Sequence, residues 1–267
     1  MNEEEAFLKI KEGVRLEKLL DVSQYKENYI KRRIAVRMRS LQLPKYVEYF
    51  AYLQEHKAEY DILLDKLTIN VTQFFRDPEI FVELENTILP DIMMGLKSPL
   101  RVWSAGCSTG EEPYSIAISI EETAEKLGIL NYDFEVYATD LDIIAIHKAS
   151  EGIYEGRTLD NIAPQRRTKY FSTDGRNYKV RDQIKRSVKI IKWNLMDPYK
   201  KNFFDIVFCR NVIIYFTREL QKTVLGHYYD SLKENGILFL GKTETMLQDY
   251  RDRFNCINIK ERIFRKI

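Results

Sequence analysis

The chain has 267 residues, 45% hydrophobic and 31% charged, with a formal net charge of +2 at neutral pH. This is the composition of a soluble globular protein of one large domain or two smaller ones. No apolar run approaches the roughly 18 residues of a membrane span, and the acidic N-terminus (Glu3, Glu4, Glu5) has no apolar signal core. Cys107, Cys209 and Cys256 are odd in number and far apart, which excludes a disulfide framework or zinc pattern and points to a reducing cytoplasm. His56, His147 and His227 lie in no motif, so histidine catalysis is not expected.

Residues 1–67 read as wholly helical, because apolar residues recur at spacings of three and four with no strand alternation. Between Lys26 and Lys45 the basic residues are Lys26, Lys31, Arg32, Arg33, Arg37, Arg39 and Lys45, and Glu27 is the only acid. Ile30, Ile34, Met38 and Leu41 fall at helical spacing and should face a core, leaving Arg33 and Arg37 on a neighbouring face. A basic face suits an acidic partner, either nucleic acid or an acidic protein surface, and equally suits a solvated helix side.

Residues 68–99 form a linker and bridging helix, with Pro78 near the helix start, where its fixed φ and missing N–H are tolerated. Pro99 breaks the chain before the first strand. From residue 100 to 267 strands and helices alternate, which predicts an α/β domain with a parallel sheet and helices on both faces. The expected strands are 100–104, 134–139, 188–193, 204–209 and 236–241, followed by a closing hairpin over 254–259 and 262–265. The segment 151–187 is too long for one crossover. It carries a hairpin signal at Asp174-Gly175 and reads as a small inserted β-subdomain.

The turn after the first strand, Ala105-Gly106-Cys107-Ser108-Thr109-Gly110-Glu111-Glu112, carries the most chemistry. It is G-x-x-x-G rather than the dinucleotide fingerprint G-x-G-x-x-G. A diphosphate needs bare N–H groups at a helix N-terminus, and Glu111 and Glu112 would repel it. No Gly-Lys-Ser/Thr follows, so a triphosphate is disfavoured too. Asp140, closing the second strand, stands where a ribose diol is held in doubly wound folds. Asp140 could instead cap the next helix, although Asp142 is available for that. A ligand with adenosine at one end and an amino acid at the other fits best, and S-adenosylmethionine is such a ligand.

Ligands of open α/β sheets lie beyond the carboxyl ends of the strands. Asn194 and Leu195 follow the third strand, where they could meet an adenine; Arg210, Asn211 and Tyr215 follow the fourth, nearer the cofactor's reactive end. Loop asparagines often only satisfy backbone groups. Asp197-Pro198-Tyr199 looks like part of an amino-methylating motif, but it follows the wrong strand and lacks a proline, so it reads as a turn.

Four blocks in order carry a family resemblance: Thr68 to Arg76, Trp103 to Ser115, Ala138-Thr139-Asp140, and Phe208 to Phe216. Together they resemble the bacterial chemotaxis receptor glutamate O-methyltransferases of the CheR type, over nearly the whole chain. The resemblance implies an S-adenosylmethionine-dependent, Rossmann-like methyltransferase sheet with an antiparallel final strand, an N-terminal all-helical domain and the β-insertion. It implies methyl transfer to receptor glutamates, leaving S-adenosylhomocysteine and glutamyl methyl esters that serve sensory adaptation, without a metal. Asn70, Thr72, Arg76, Glu112 and Asp140 are implied to contact the cofactor, beside the Gly106 turn. Asn194, Leu195, Arg210 and Asn211 are implied to complete the pocket. Arg76 and Tyr215 are the implied substrate-side pair. The basic helix with Arg33 and Arg37 is implied to lie against the receptor's acidic cytoplasmic helices. In some members the β-insertion grips a C-terminal receptor tether through a longer glycine-rich loop; here Ser172 to Asn177 is short, which favours direct recognition. A cytoplasmic monomer is expected, with neither nucleic acid nor membrane insertion. The rival readings are an RNA methyltransferase and a non-catalytic regulator that binds S-adenosylmethionine.

Overall fold

The computed structural model describes residues 1–18, 20–68, 72–95 and 99–267. The chain divides into two compact units. One comprises Met1–Asn70 with Tyr215–Gln221, the other Val71–Ile214 with Lys222–Ile267. Among the described residues no helix is long and apolar enough to cross a membrane.

The first unit contains helices α1 (Glu3–Lys18), α2 (Glu27–Ser40), α3 (Tyr46–Glu55) and α4 (Glu59–Leu67). A reciprocal cap starts α1: the Glu5 N–H donates to Asn2 Oδ1 (2.8 Å) and the Asn2 N–H to Glu5 Oε2 (3.1 Å). Lys45 cannot cap α3 with its side chain, and Glu3 of α1 serves instead, accepting the Tyr46 N–H at 2.8 Å. As the spacing requires, α2 buries Ile30, Ile34 and Met38, together with Tyr29. Leu41 lies just past the helix end and is half-buried. The segment beginning at Tyr215 joins these helices through backbone bonds. Lys26 N–H donates to Tyr215 O and Thr217 N–H to Gln24 O, both at 2.9 Å. Tyr215 packs on Tyr29 with ring centroids 4.6 Å apart.

The basic face of α2 is not uniform. Arg37 donates through Nε and Nη2 to both oxygens of Glu59, at 2.7 and 2.9 Å, and Tyr49 donates to the same carboxylate. The Arg37 and Glu59 side chains are 12% and 3% exposed. Arg37, expected beside Arg33 on a docking face, is thus engaged as the counterion of a buried carboxylate on α4. Arg33 lies with its guanidinium 5.4 Å from the Tyr29 ring centroid, while Arg32 and Arg39 are exposed.

In the second unit the bridging helix runs as α5 (Pro78–Glu83), a π-turn (Leu84–Ile88) and α6 (Leu89–Gly95), with Pro78 at its first turn as expected. There follow β1 (Leu100–Ala105), α7 (Glu111–Lys126), β2 (Phe134–Asp140) and α8 (Ile143–Glu151). The insertion comprises β3 (Ile153–Glu155), α9 (Pro164–Tyr170), β4 (Phe171–Thr173), β5 (Asn177–Val180) and α10 (Asp182–Lys185). The chain then returns to β6 (Val188–Lys192), β7 (Phe204–Cys209), α11 (Arg218–Ser231, whose first four residues count with the first unit), β8 (Leu232–Leu240), β9 (Phe254–Asn258) and β10 (Ile263–Lys266). The main sheet has the order β6-β2-β1-β7-β8-β10-β9. Its strands pair in parallel from β6 to β8, and β10 is antiparallel to both of its neighbours. The insertion is a separate three-stranded antiparallel sheet, β3-β5-β4, with Asp174-Gly175 at the β4–β5 hairpin.

Both faces of β1 are buried, so its residues divide by alternation. Val102 joins the core formed with α7 and the bridging helix. Trp103 points the other way, edge-on to Tyr228 of α11 (5.3 Å) and stacked on Phe204 (5.5 Å). The fifth strand begins at Leu232, earlier than its apolar run suggested. Its register against β7 jumps from Phe204–Leu232 to Ile206–Ile237, so the polar residues Lys233, Glu234 and Asn235 are accommodated in an irregularity.

Arg37→Ala should cost about 3 kcal/mol of stability, because it strands the Glu59 carboxylate in the interior. Urea unfolding followed by far-UV circular dichroism measures this. A loss below about 1 kcal/mol would mean the pair behaves as an exposed one.

Candidate cofactor and active site

The β1–α7 turn is shaped by two glycines. Gly106 has φ +79°, and a Cβ there would lie 2.5 Å from Val212 Cγ2. Gly110 has φ +95° at the start of α7, and a Cβ there would lie 2.8 Å from that of Ala149. Both positions therefore need glycine for conformation and for space. The turn's N–H groups are already engaged. Gly106 and Cys107 donate to Thr139 O (2.8 and 2.9 Å), Gly110 donates to Cys107 O (3.0 Å), and Ser108 donates to Asp140 Oδ2 (2.8 Å). Burial pushes the Cys107 thiol well above its ordinary range, which keeps it unreactive.

Asp140 ends β2 beside this turn. Oδ2 takes the Ser108 N–H and Oδ1 the Asp142 N–H at 3.0 Å. Burial pushes its carboxyl above the usual range, and these backbone donors pull it back. The cap of α8 is supplied by Asp142, which accepts from Ile144 and Ala145 at 2.8 and 3.2 Å. Asp140 thus does not cap the helix, and its carboxylate is held by two backbone N–H groups.

Glu111 and Glu112 have different surroundings. Glu111 is buried, accepts from Thr109 Oγ1 (2.7 Å), and has its carboxyl raised by burial. Glu112 accepts from Ser104 Oγ on β1 (2.8 Å) and from Arg210 Nη1 (3.2 Å). Arg210 follows β7 with its side chain 2% exposed. Its Nη2 donates to Arg76 O (2.9 Å) and to the Asp77 carboxylate. Arg210 therefore clamps the Arg76 loop to α7. That loop is strained at Phe75, where φ +50° is rare for a bulky side chain, and Asp77 follows at φ +55°, a region that aspartate tolerates better. Arg76 stands half-buried between them, and Thr72 is half-buried earlier in the same segment.

Beyond β6, Asn194 Oδ1 accepts the Met196 N–H (3.1 Å), so part of its side chain stabilises the turn. Leu195 is buried. Asn211 adopts φ +60° after β7, on a turn organised by Glu244, a residue the sequence reading missed. Glu244 is 2% exposed and accepts from the N–H groups of Gly241 (2.6 Å), Val212 (2.8 Å) and Ile213 (2.9 Å). Its one sequence signal is a carboxylate three residues after the glycine that ends a strand. Asn70 lies outside the described residues, and Tyr215 belongs to the helical unit. The structure therefore brings together Gly106, Glu112, Asp140, Arg210 and the Arg76 loop.

These surroundings fit S-adenosylmethionine. Four turn N–H groups are engaged within the protein, so the turn offers little to a diphosphate. The carboxylates of Asp140 and Glu112 are acceptors suited to hydroxyl and ammonium donors.

Comparison with known proteins agrees. Residues 5–68 match the CheR methyltransferase all-alpha domain, and residues 70–263 match the CheR methyltransferase SAM binding domain. The chain is 34% identical over 228 residues to a chemotaxis protein methyltransferase of Listeria monocytogenes, covering 85% of each. It is 38% identical over 208 residues to one of Vibrio parahaemolyticus, covering 76% of this chain and 74% of that one. It is 34% identical over 234 residues to one of Escherichia coli, covering 84% and 78%. With both domains matched in order over most of its length, the chain belongs to the CheR methyltransferase family.

Proposed function

We propose that this protein methylates glutamate side chains of chemotaxis receptors in the cytoplasm, using S-adenosylmethionine and forming methyl esters. The observation that carries the reading is the Asp140 carboxylate, held by the Ser108 and Asp142 N–H groups beside a turn whose own donors are engaged. When bound, S-adenosylmethionine supplies a methyl carbon activated by its sulfonium. A receptor glutamate is already ionised at neutral pH, since a glutamate carboxyl titrates at about 4.3. It attacks without a general base, consistent with histidines that lie in no motif, and the chemistry as proposed calls for no metal.

The chain's work is then binding, alignment and exclusion of water. Asp140 accepts from the ribose hydroxyls, and Glu112 accepts from the amino-acid end. Thr72, Asn194, Leu195 and Asn211 complete the pocket, and the family resemblance supports adding Asn70. Arg210 acts at one remove, by holding Glu112 and the Arg76 loop. Arg76 orients the incoming carboxylate without neutralising it, and the family resemblance supports a role in turnover for Tyr215. Receptor docking falls to Arg33 with exposed Arg32 and Arg39, since Arg37 is engaged internally. The hairpin at Asp174-Gly175 is short, with Asp174 Oδ1 accepting the Arg176 and Asn177 N–H groups. This compact, self-bonded loop favours direct receptor recognition over capture of a tether, by a protein acting as a monomer.

The deciding experiment incubates the protein with methyl-labelled S-adenosylmethionine and chemoreceptor cytoplasmic fragments. Label should enter the receptor and leave as methanol in mild base; base-stable label would refute esterification. Run with Arg32→Glu/Arg33→Glu across a salt series, the same assay should show a lower rate whose salt dependence is weakened. Asp140→Ala should weaken S-adenosylmethionine binding at least about tenfold, the loss of a charged hydrogen-bond acceptor; unchanged calorimetric affinity removes the ribose role. Arg76→Ala and Tyr215→Phe should lower kcat by about tenfold or more while affinity for S-adenosylhomocysteine holds. Loss of that affinity instead would move either residue into the cofactor pocket.

A further inference from the structure

Besides Arg210 and an edge-on contact of Phe75 with Phe81 of α5 (4.9 Å), the Arg76 loop is supported by the insertion. On one side, the Phe74 N–H donates to Thr158 O (3.2 Å), and the Phe74 ring meets Tyr154 and Phe171 edge-on at 4.8 and 5.1 Å. Thr158, Tyr154 and Phe171 all belong to the insertion. On the other side, Arg166 of α9 lies with its guanidinium 4.6 Å from the Phe75 ring centroid. That guanidinium is fixed by Glu122 of α7 (2.8 Å) and by Glu85 of the π-turn (2.6 Å). Phe75 is the residue at φ +50° immediately before Arg76, and its N–H donates to Ser115 Oγ (2.9 Å). A strained backbone persists only when its surroundings over-determine it, and here the insertion provides much of that determination.

We propose that the inserted β-subdomain positions Arg76, with Arg166 as the positioning residue that locks Phe75 in its left-handed conformation. This rests on the reading of Arg76 as a substrate-side residue. It gives the insertion a role in turnover that is independent of any tether peptide.

Arg166→Lys tests this, because lysine keeps a charge opposite Glu85 and Glu122 but loses the planar group that covers the ring. Methylation of a chemoreceptor cytoplasmic fragment should show kcat reduced about tenfold, with calorimetric affinity for S-adenosylhomocysteine unchanged. Phe171→Leu, acting from the Phe74 side, should behave alike. Introduced into Arg76→Ala, Arg166→Lys should cause no further loss, since coupled residues are non-additive. Wild-type turnover in Arg166→Lys overturns the proposal, as does a loss that multiplies with that of Arg76→Ala. An equal loss of cofactor affinity overturns it too. If Arg76→Ala alone leaves turnover intact, the substrate-side reading of Arg76 fails, and a persisting Arg166→Lys defect shows that the insertion acts elsewhere.

Discussion

Burying the Arg210 guanidinium at the end of β7 carries a desolvation cost of several kcal/mol that only close, well-directed acceptors offset. Those acceptors come from two separate parts of the chain: the Glu112 carboxylate in the first turn of α7, and the Arg76 carbonyl with the Asp77 carboxylate. Meeting that demand brings the segment before the bridging helix against the carboxyl edge of the sheet. It also accounts for the left-handed backbone at Asp77, which turns its carboxylate toward the guanidinium while Pro78 begins α5. The position of Arg76 follows from this clamp on one side and from the insertion on the other.

A second device recurs around the site, in which a carboxylate collects backbone N–H groups. Asp140 takes two from the turn and the α8 approach, Asp142 takes two at the start of α8, and Glu244 gathers the turn after β7. In each case a negative charge satisfies donors that loop geometry would otherwise leave unpaired. The same bonds also hold each acid in place. A site built this way is pre-organised before any ligand arrives, and it favours ligands that bring donors.

The regular framework was legible in the sequence, because alternating apolar runs and glycine turns are local signals. Strands β1, β2, β6 and β7 fall where the apolar runs lie, the Asp174-Gly175 hairpin is where its dipeptide signals it, and Asp142 takes the cap. The irregular start of β8 was not legible, because a register jump depends on what the neighbouring strand offers. Nor was the partnership of Arg37 with Glu59, which are separated by 22 residues and share a core position only once α2 and α4 pack together. A basic stripe in sequence does not say which of its members will be drawn inward by a buried acid.

By itself the sequence determined the alternation that makes an α/β sheet, the glycines that permit the turn, and the acids placed at the carboxyl edge of the sheet. It also determined family membership, since ordered motif blocks are a property of the chain alone. Only the tertiary structure decided what each polar side chain is bonded to: that Arg210 is a clamp, that Glu111 is buried while Glu112 faces Arg210, and that Glu244 organises a turn. The physical reason is that a hydrogen bond or ion pair has its geometry and energy set by distance and burial, and both are products of packing between segments remote in sequence.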